Sequence, residues 1–211
     1  MKSFHGDPKI KETYLTRIRA HAAADEIIKG KYWENGKGCA VGCTVHSSDH
    51  AAYEEELGIP RILARLEDGI FESLPNDLAM TWPVRFLEAV PVGVDLSLVW
   101  PKFAVWMLND SEYGVIRFAN SERTIKAIQT VVDLYQKKID GISVSDEQWK
   151  AAASASAASA ASASAADASA YAAAASASAY AYASAAASAY ARTKLRIAQS
   201  EKLLELLRDA K

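Results

Sequence analysis

The sequence is poor in cysteine and in long apolar runs, and neither sign of charge dominates it. Cys39 and Cys43 are the two cysteines in 211 residues, and the N-terminal segment lacks the apolar core of a secretion signal. No run of Leu, Ile, Val and Phe reaches membrane-spanning length, and a formal net charge of -2 gives no electrostatic footprint for nucleic acid. We therefore expect a cytoplasmic protein with reduced thiols and with neither a membrane nor a nucleic acid as its partner.

Glycine and proline are absent from residues 142–211, where residues 151–191 consist of Ala, Ser and Tyr with a single Asp. Ala has the highest helix propensity, and disordered Ala/Ser polymers usually contain the Pro or Gly that this segment lacks. Ser145 and Gln148 have the spacing of a capping box, which marks a helix start. The sequence therefore predicts a long Ala/Ser-rich helix over 145–211, whole or broken once. A single helix from 146 to 209 would be about 95 Å long.

This predicted helix has more than one interpretation. Small side chains let helices approach one another closely, which favours a homo-oligomer formed through the C-terminal helix. The segment could instead be an expanded repeat that is tolerated as a helix without a selected role, or shorter helices folded back onto the domain. Each Ala buries little area, so a helix of this composition gains stability by packing along a partner. Self-association is the leading hypothesis.

Residues 1–144 are expected to form a compact, mostly helical domain with one β-hairpin near 31–41. Asp7-Pro8 is a typical helix start, since Asp caps free amides and Pro suits the first helical position. An amphipathic pattern predicts another helix from Ser121 to Ile139. Val115 to Phe118 is ambiguous and compatible with a short strand. The predicted fold class is thus mostly α, with one small β-hairpin and a long Ala/Ser-rich helical extension.

The predicted hairpin is centred on Asn35-Gly36, two residues that tolerate the positive φ of a type I′ turn. This turn pairs Glu34 with Lys37 and Trp33 with Gly38. An opposite-charge pair and an aromatic ring over a glycine both favour that register.

The segment that follows the hairpin turn contains both cysteines and two of the four histidines, and it is the candidate site. Cys39, Cys43, His46 and His50 have the ligand types of a structural zinc site, and Glu54 shares a helical spacing with the two histidines. The spacer between the cysteine pair and the histidine pair is too short for a zinc finger. A helix capped by Ser47 or Ser48 would also leave His46 outside it.

Two other interpretations of this segment remain open. Cys39 could act as a catalytic nucleophile, and Lys37 could lower the pKa of its thiol. The sequence offers His46, His50, His21 and His5 as its base and does not decide which of them lies near. Alternatively, both cysteines are small buried hydrophobic residues, and the glycines around them serve the turn and close packing. No cofactor is predicted apart from zinc as the metal alternative.

Several runs resemble a family of uncharacterised bacterial and phage-associated proteins whose members carry Ala-rich C-terminal extensions. The resemblance covers residues 1 to about 140, and it depends on YWENGKGCAVGCTVHSSDH, LGIP, LEDGIFE and VDLSLVWPKFAVW. It implies a genuine site near Cys39 and names no reaction. The function predicted first is a non-enzymatic binding or structural protein that self-associates through its C-terminal helix. The alternative is a cysteine- or histidine-dependent enzyme or a metal-binding protein.

Overall fold

A computed structural model of the chain describes residues 1–119, 121–159 and 189–211. The described chain is mostly α-helical with one small antiparallel hairpin, which confirms the predicted fold class. It divides into two units, one formed by Met1–Trp100 together with Arg196–Lys211 and the other by Pro101–Leu195.

The N-terminal hundred residues contain short and medium-length helices around the hairpin. These elements are a 3-10 helix (Ser3–Gly6), α1 (Pro8–Ala23), β1 (Trp33–Glu34), β2 (Lys37–Gly38), α2 (Ala40–Val45), α3 (Ala52–Leu57), α4 (Arg61–Ser73), α5 (Asn76–Ala79) and α6 (Trp82–Ala89). The helices that follow are α7 (Val99–Asn109), a 3-10 helix (Val115–Phe118), α8 (Glu122–Ile139), α9 (Asp146–Ser159) and α10 (Ala189–Arg208).

Local signals in the sequence set several element boundaries. The Asp7 carboxylate accepts a hydrogen bond from the Lys9 amide at 2.8 Å, so it caps α1 as predicted. Ser121 caps α8 in the same way by accepting from the Thr124 amide at 3.2 Å. Residues 115–118 form a 3-10 helix, and the short strand considered there is not found.

The hairpin has the predicted register, with Trp33 opposite Gly38 and Glu34 opposite Lys37. Asn35 and Gly36 both have positive φ, 52° and 80°, as a type I′ turn requires. Gly38 also forms a parallel bridge with Ile27, which ties the hairpin to the segment after α1. The hairpin therefore leads directly into α2, the helix that Cys39 caps and that carries Cys43.

In the second unit α9 packs along α8, and the ring of Trp149 lies 4.9 Å from that of Tyr135. The predicted capping box is present at the start of α9. The Ser145 amide donates to Gln148 Oε1 at 2.9 Å, and the Gln148 amide donates to Ser145 Oγ at 3.3 Å. The α9 helix thus begins where the sequence predicts.

The C-terminal end of α10 belongs to the first unit. Leu203, Leu204 and Leu207 are fully buried, and Arg85 forms a bidentate ion pair with Glu201 at 2.7 and 2.9 Å. The predicted boundary between 1–144 and 145–211 stays a prediction. Three leucines that need burial explain why the last residues join the N-terminal fold.

The central part of the predicted Ala/Ser helix, residues 160–188, lies outside the described residues. On its two sides α9 and α10 are helical, as predicted. Within the described ranges, no helix has both the length and the apolar character that a membrane crossing requires.

Candidate functional site

Cys39 is the residue just before α2, and Cys43 lies within this short helix. The helix packs closely against the backbone of the hairpin segment. A Cβ atom on Gly42 would fall 1.5 Å from the Tyr32 carbonyl oxygen, and one on Gly38 would fall 2.0 Å from it. No side chain fits at those distances, so both positions require glycine for close backbone approach. Cys39 caps α2, because its Sγ accepts a hydrogen bond from the Gly42 amide at 3.5 Å.

Both thiols are buried and protonated. Cys39 is 1 % exposed and Cys43 is fully buried. Burial, aided by the nearby Asp68 carboxylate, raises the pKa of the Cys39 thiol far above its ordinary value. Burial also raises the pKa of Cys43 to about 11, and its thiol donates to the Gly38 carbonyl at 3.3 Å. Since the thiolate is the nucleophile, this geometry favours the structural interpretation of the cysteines over a catalytic Cys39.

The Asp68 carboxylate lies near both His50 and Cys39. His50 Nε2 is 3.5 Å from Asp68 Oδ2, and the same carboxylate is close enough to the Cys39 thiol to help raise its pKa. The Tyr32 ring packs edge-on against His50, with 5.6 Å between the ring centroids. Asp68 thus lies near both Cys39, the predicted nucleophile, and His50, one of its predicted bases.

A second acid on α4 is buried beside this group. Glu67 is 0 % exposed, and neither of its carboxylate oxygens has a hydrogen-bond partner among the described residues. Tyr53 is also fully buried, and its hydroxyl lies close enough to affect the carboxyl group. Burial raises the pKa of Glu67 well above its ordinary value, because the charged carboxylate would have neither water nor, within the described ranges, a hydrogen-bond partner there.

His46 belongs to a different cluster, on the exposed side of α2. It ends α2 in the left-handed conformation, with φ 54° and ψ 37°. Its ring stacks on Trp33 with 4.4 Å between centroids and 13° between planes. His46 Nε2 lies 2.8 Å from His21 Nε2, and His21 Nδ1 lies 2.6 Å from Glu26 Oε2. Glu26, His21 and His46 therefore form one continuous hydrogen-bonded chain that ends at the surface.

The proton positions in this chain follow from what each group can donate. A carboxylate only accepts, so Nδ1 of His21 carries the proton that it shares with Glu26. The Nε2 of a neutral His21 then accepts a hydrogen bond, which Nε2–H of His46 donates. Partial burial and the Arg17 guanidinium lower the pKa of His46. The chain thus joins two imidazoles to a carboxylate that orients the first of them.

The structure does not bring the five predicted metal ligands together. His46 faces His21, His50 faces Asp68, and Glu54 Oε1 accepts a hydrogen bond from the Arg61 amide at 2.8 Å. Cys39 and Cys43 are buried within the fold. Among the described residues, no group of three or more His, Cys, Asp or Glu side chains is placed to hold a metal ion. The geometry therefore does not favour a zinc site made of this set.

Sequence reasoning missed the partners that give these residues their chemistry. His21 and Glu26 lie 25 and 20 positions before His46, and only tertiary packing unites them. Glu67 carried a usable signal, because it lies four residues after Leu63 and three before Ile70 on the apolar face of α4. A position on the apolar face of a helix predicts that an acidic side chain there is buried.

Comparisons with family models, with curated proteins and with solved structures gave no match for this chain. The resemblance to uncharacterised bacterial and phage-associated proteins therefore stays a prediction.

Proposed function

We propose that this chain is a non-enzymatic binding or structural protein that self-associates through its Ala/Ser-rich segment. The observation that carries the proposal is that the helices on both sides of residues 160–188 are packed on folded protein. Before the segment, α9 packs along α8 with Trp149 against Tyr135. After it, the end of α10 buries three leucines. Each flanking helix is thus anchored at the end that lies farther from the segment.

The composition of the segment supports assembly. Ala and Ser offer no large apolar side chain from which a core of their own could form, and a helix built from them gains little from burial within one chain. Small side chains do allow two helices to lie close together over a long distance. A second copy of the same segment is a partner of matching shape and length.

The test replaces residues 160–188 with a Gly/Ser linker of equal length and compares the mass in solution by light scattering. Truncation at residue 145 is a poorer test, because it would also remove Leu203, Leu204 and Leu207 from the fold. We expect the full chain to have a multiple of 22.8 kDa and the linker variant to be monomeric. An equal mass for both proteins would overturn the proposal.

A matched control replaces the same residues with a helical sequence rich in Glu and Lys. It keeps a helix former at each position and removes the small-residue surface, so we expect it to be monomeric as well. Unchanged thermal unfolding of the first unit would show that neither replacement acts by unfolding the protein. An oligomer that persists in the charged helix would show that the small residues are not the contact.

The alternative function is a cysteine- or histidine-dependent activity. A specific observation favours the histidines, and none favours the cysteines. The chain from Glu26 through His21 to His46 is oriented for holding or moving a proton, and it reaches the surface. Cys39 is buried and protonated. A chemical role at this site would therefore use the two histidines and leave the thiols out.

A further inference from the structure

The two Nε2 atoms of His21 and His46 point at each other across 2.8 Å at the protein surface. We propose that this pair is a binding site for a divalent transition-metal ion, with Zn²⁺ as the representative, held by the two Nε2 atoms. This site shares only His46 with the set predicted from the sequence, and it is independent of self-association.

The distance between the two nitrogens is close to what an ion requires. Zn–N bonds are about 2.0–2.1 Å long, so two imidazole nitrogens on a tetrahedral ion are separated by about 3.3 Å. The pair must therefore open by only about half an ångström to admit the ion. A metal between two facing nitrogens replaces the single hydrogen bond that now joins them.

Binding requires that both Nε2 atoms offer a lone pair, so the proton that lies between them must leave that position. His21 already carries its proton on Nδ1, toward Glu26, and offers the lone pair of Nε2. His46 carries its proton on Nε2 while it donates to His21. Its proton moves from Nε2 to Nδ1 through solvent, which leaves a neutral imidazole with a free Nε2 lone pair.

Both ligands are held in place before an ion arrives. Glu26 accepts from Nδ1 of His21 at 2.6 Å, the carboxylate–histidine arrangement that orients metal-bound imidazoles in many proteins. The ring of His46 is fixed by stacking on Trp33 and by its position at the end of α2. His46 is also exposed, so an ion can reach the pair from solvent.

Charges of both signs act on His46. The Arg17 guanidinium acts more strongly than either carboxylate and opposes a cation, whereas the carboxylates of Glu56 and Glu26 favour one. Arg17 donates to the Thr44 carbonyl at 2.9 Å, so part of its interaction is directed to the backbone. Since no third His, Cys, Asp or Glu in the described ranges completes the group, water fills the other positions of the ion.

The test titrates Zn²⁺ into the full chain at pH 7.5 by isothermal calorimetry. We expect one site per chain, and at least about a tenfold loss of affinity in each of His21→Gln and His46→Asn. Asn tolerates the left-handed conformation of residue 46, so this variant keeps the end of α2. Glu26→Gln should weaken binding by about 10- to 100-fold, as loss of an orienting carboxylate does elsewhere.

His50→Gln is the matched control, because His50 is a partly buried histidine with its own carboxylate partner outside the pair. It should bind Zn²⁺ like the unaltered chain. A second readout is tryptophan fluorescence: Cu²⁺ bound at the pair should quench the emission of Trp33, and this quenching should be lost in Trp33→Phe. Absence of Zn²⁺ binding, or binding that survives both His21→Gln and His46→Asn, would overturn the proposal. Binding that depends on Cys43 or His50 instead would overturn it too.

Discussion

Glu67 gives the sharpest quantitative prediction, because its carboxyl group is buried without a hydrogen-bond partner in the described part of the chain. Burial raises its pKa well above the ordinary value, so the folded chain keeps a proton that the unfolded chain releases at about pH 4.3. The stability that this proton contributes is fully present below the unfolded pKa and is lost as pH rises toward the folded pKa. The loss is about 1.4 kcal/mol per pH unit within that window.

The perturbation is Glu67→Gln, which keeps the shape of the side chain and removes the titration. Between pH 5.5 and pH 7.5 the free energy of unfolding of the unaltered chain should fall relative to the variant, by up to about 2.7 kcal/mol, the limit for one proton over two pH units. The amide that replaces the carboxyl group adds a cost that does not depend on pH, so only the change of the difference with pH is informative. The free energy of unfolding of the variant should therefore increase relative to that of the unaltered chain as pH rises.

The assay is urea unfolding followed by circular dichroism at pH 5.5, 6.5 and 7.5. Glu12→Gln is the control, since Glu12 is an exposed acid on α1, and its difference from the unaltered chain should stay constant. A Glu67→Gln difference that is flat across this range, or that shifts in the opposite direction, would refute the protonated buried carboxyl group.

Four further outcomes follow from the packing. Gly42→Ala should destabilise the chain by at least about 3 kcal/mol, because its Cβ would overlap a backbone oxygen. By contrast, Gly69 lies on the open face of α4, and Gly69→Ala should stabilise the chain by up to about 1 kcal/mol in the same urea assay. Leu207→Ala should cost about 2–5 kcal/mol, and a loss below about 1 kcal/mol would contradict the placement of the α10 end in the first unit. Cys39 and Cys43 should react with Ellman's reagent at pH 8 only as fast as the fold opens, and rapid labelling of the native chain would contradict their burial.

The features that could be predicted from the sequence depend on residues within a few positions of one another. The Asp7 cap, the Asn35-Gly36 turn with its register and the Ser145–Gln148 capping box are all present. Each is decided by local backbone geometry and by one or two short-range hydrogen bonds. Local chemistry of this kind is visible without knowledge of the fold.

The candidate site could be predicted only in part, because its partners are distant in sequence. The segment that carries Cys39 and His46 was identified, but the residues that decide their chemistry come from α1 and α4. Asp68 lies near both Cys39 and His50, and His21 contacts His46 through their Nε2 atoms. These contacts depend on how helices pack, which the spacing within one segment does not contain.

The histidine site depends most directly on the contact between Nε2 of His21 and Nε2 of His46, and nitrogen NMR of the full chain can observe it. A scalar coupling between these two nitrogens across the hydrogen bond is expected, together with a protonated Nδ1 on His21. Two uncoupled rings, each with its own independent tautomer equilibrium, would contradict the site.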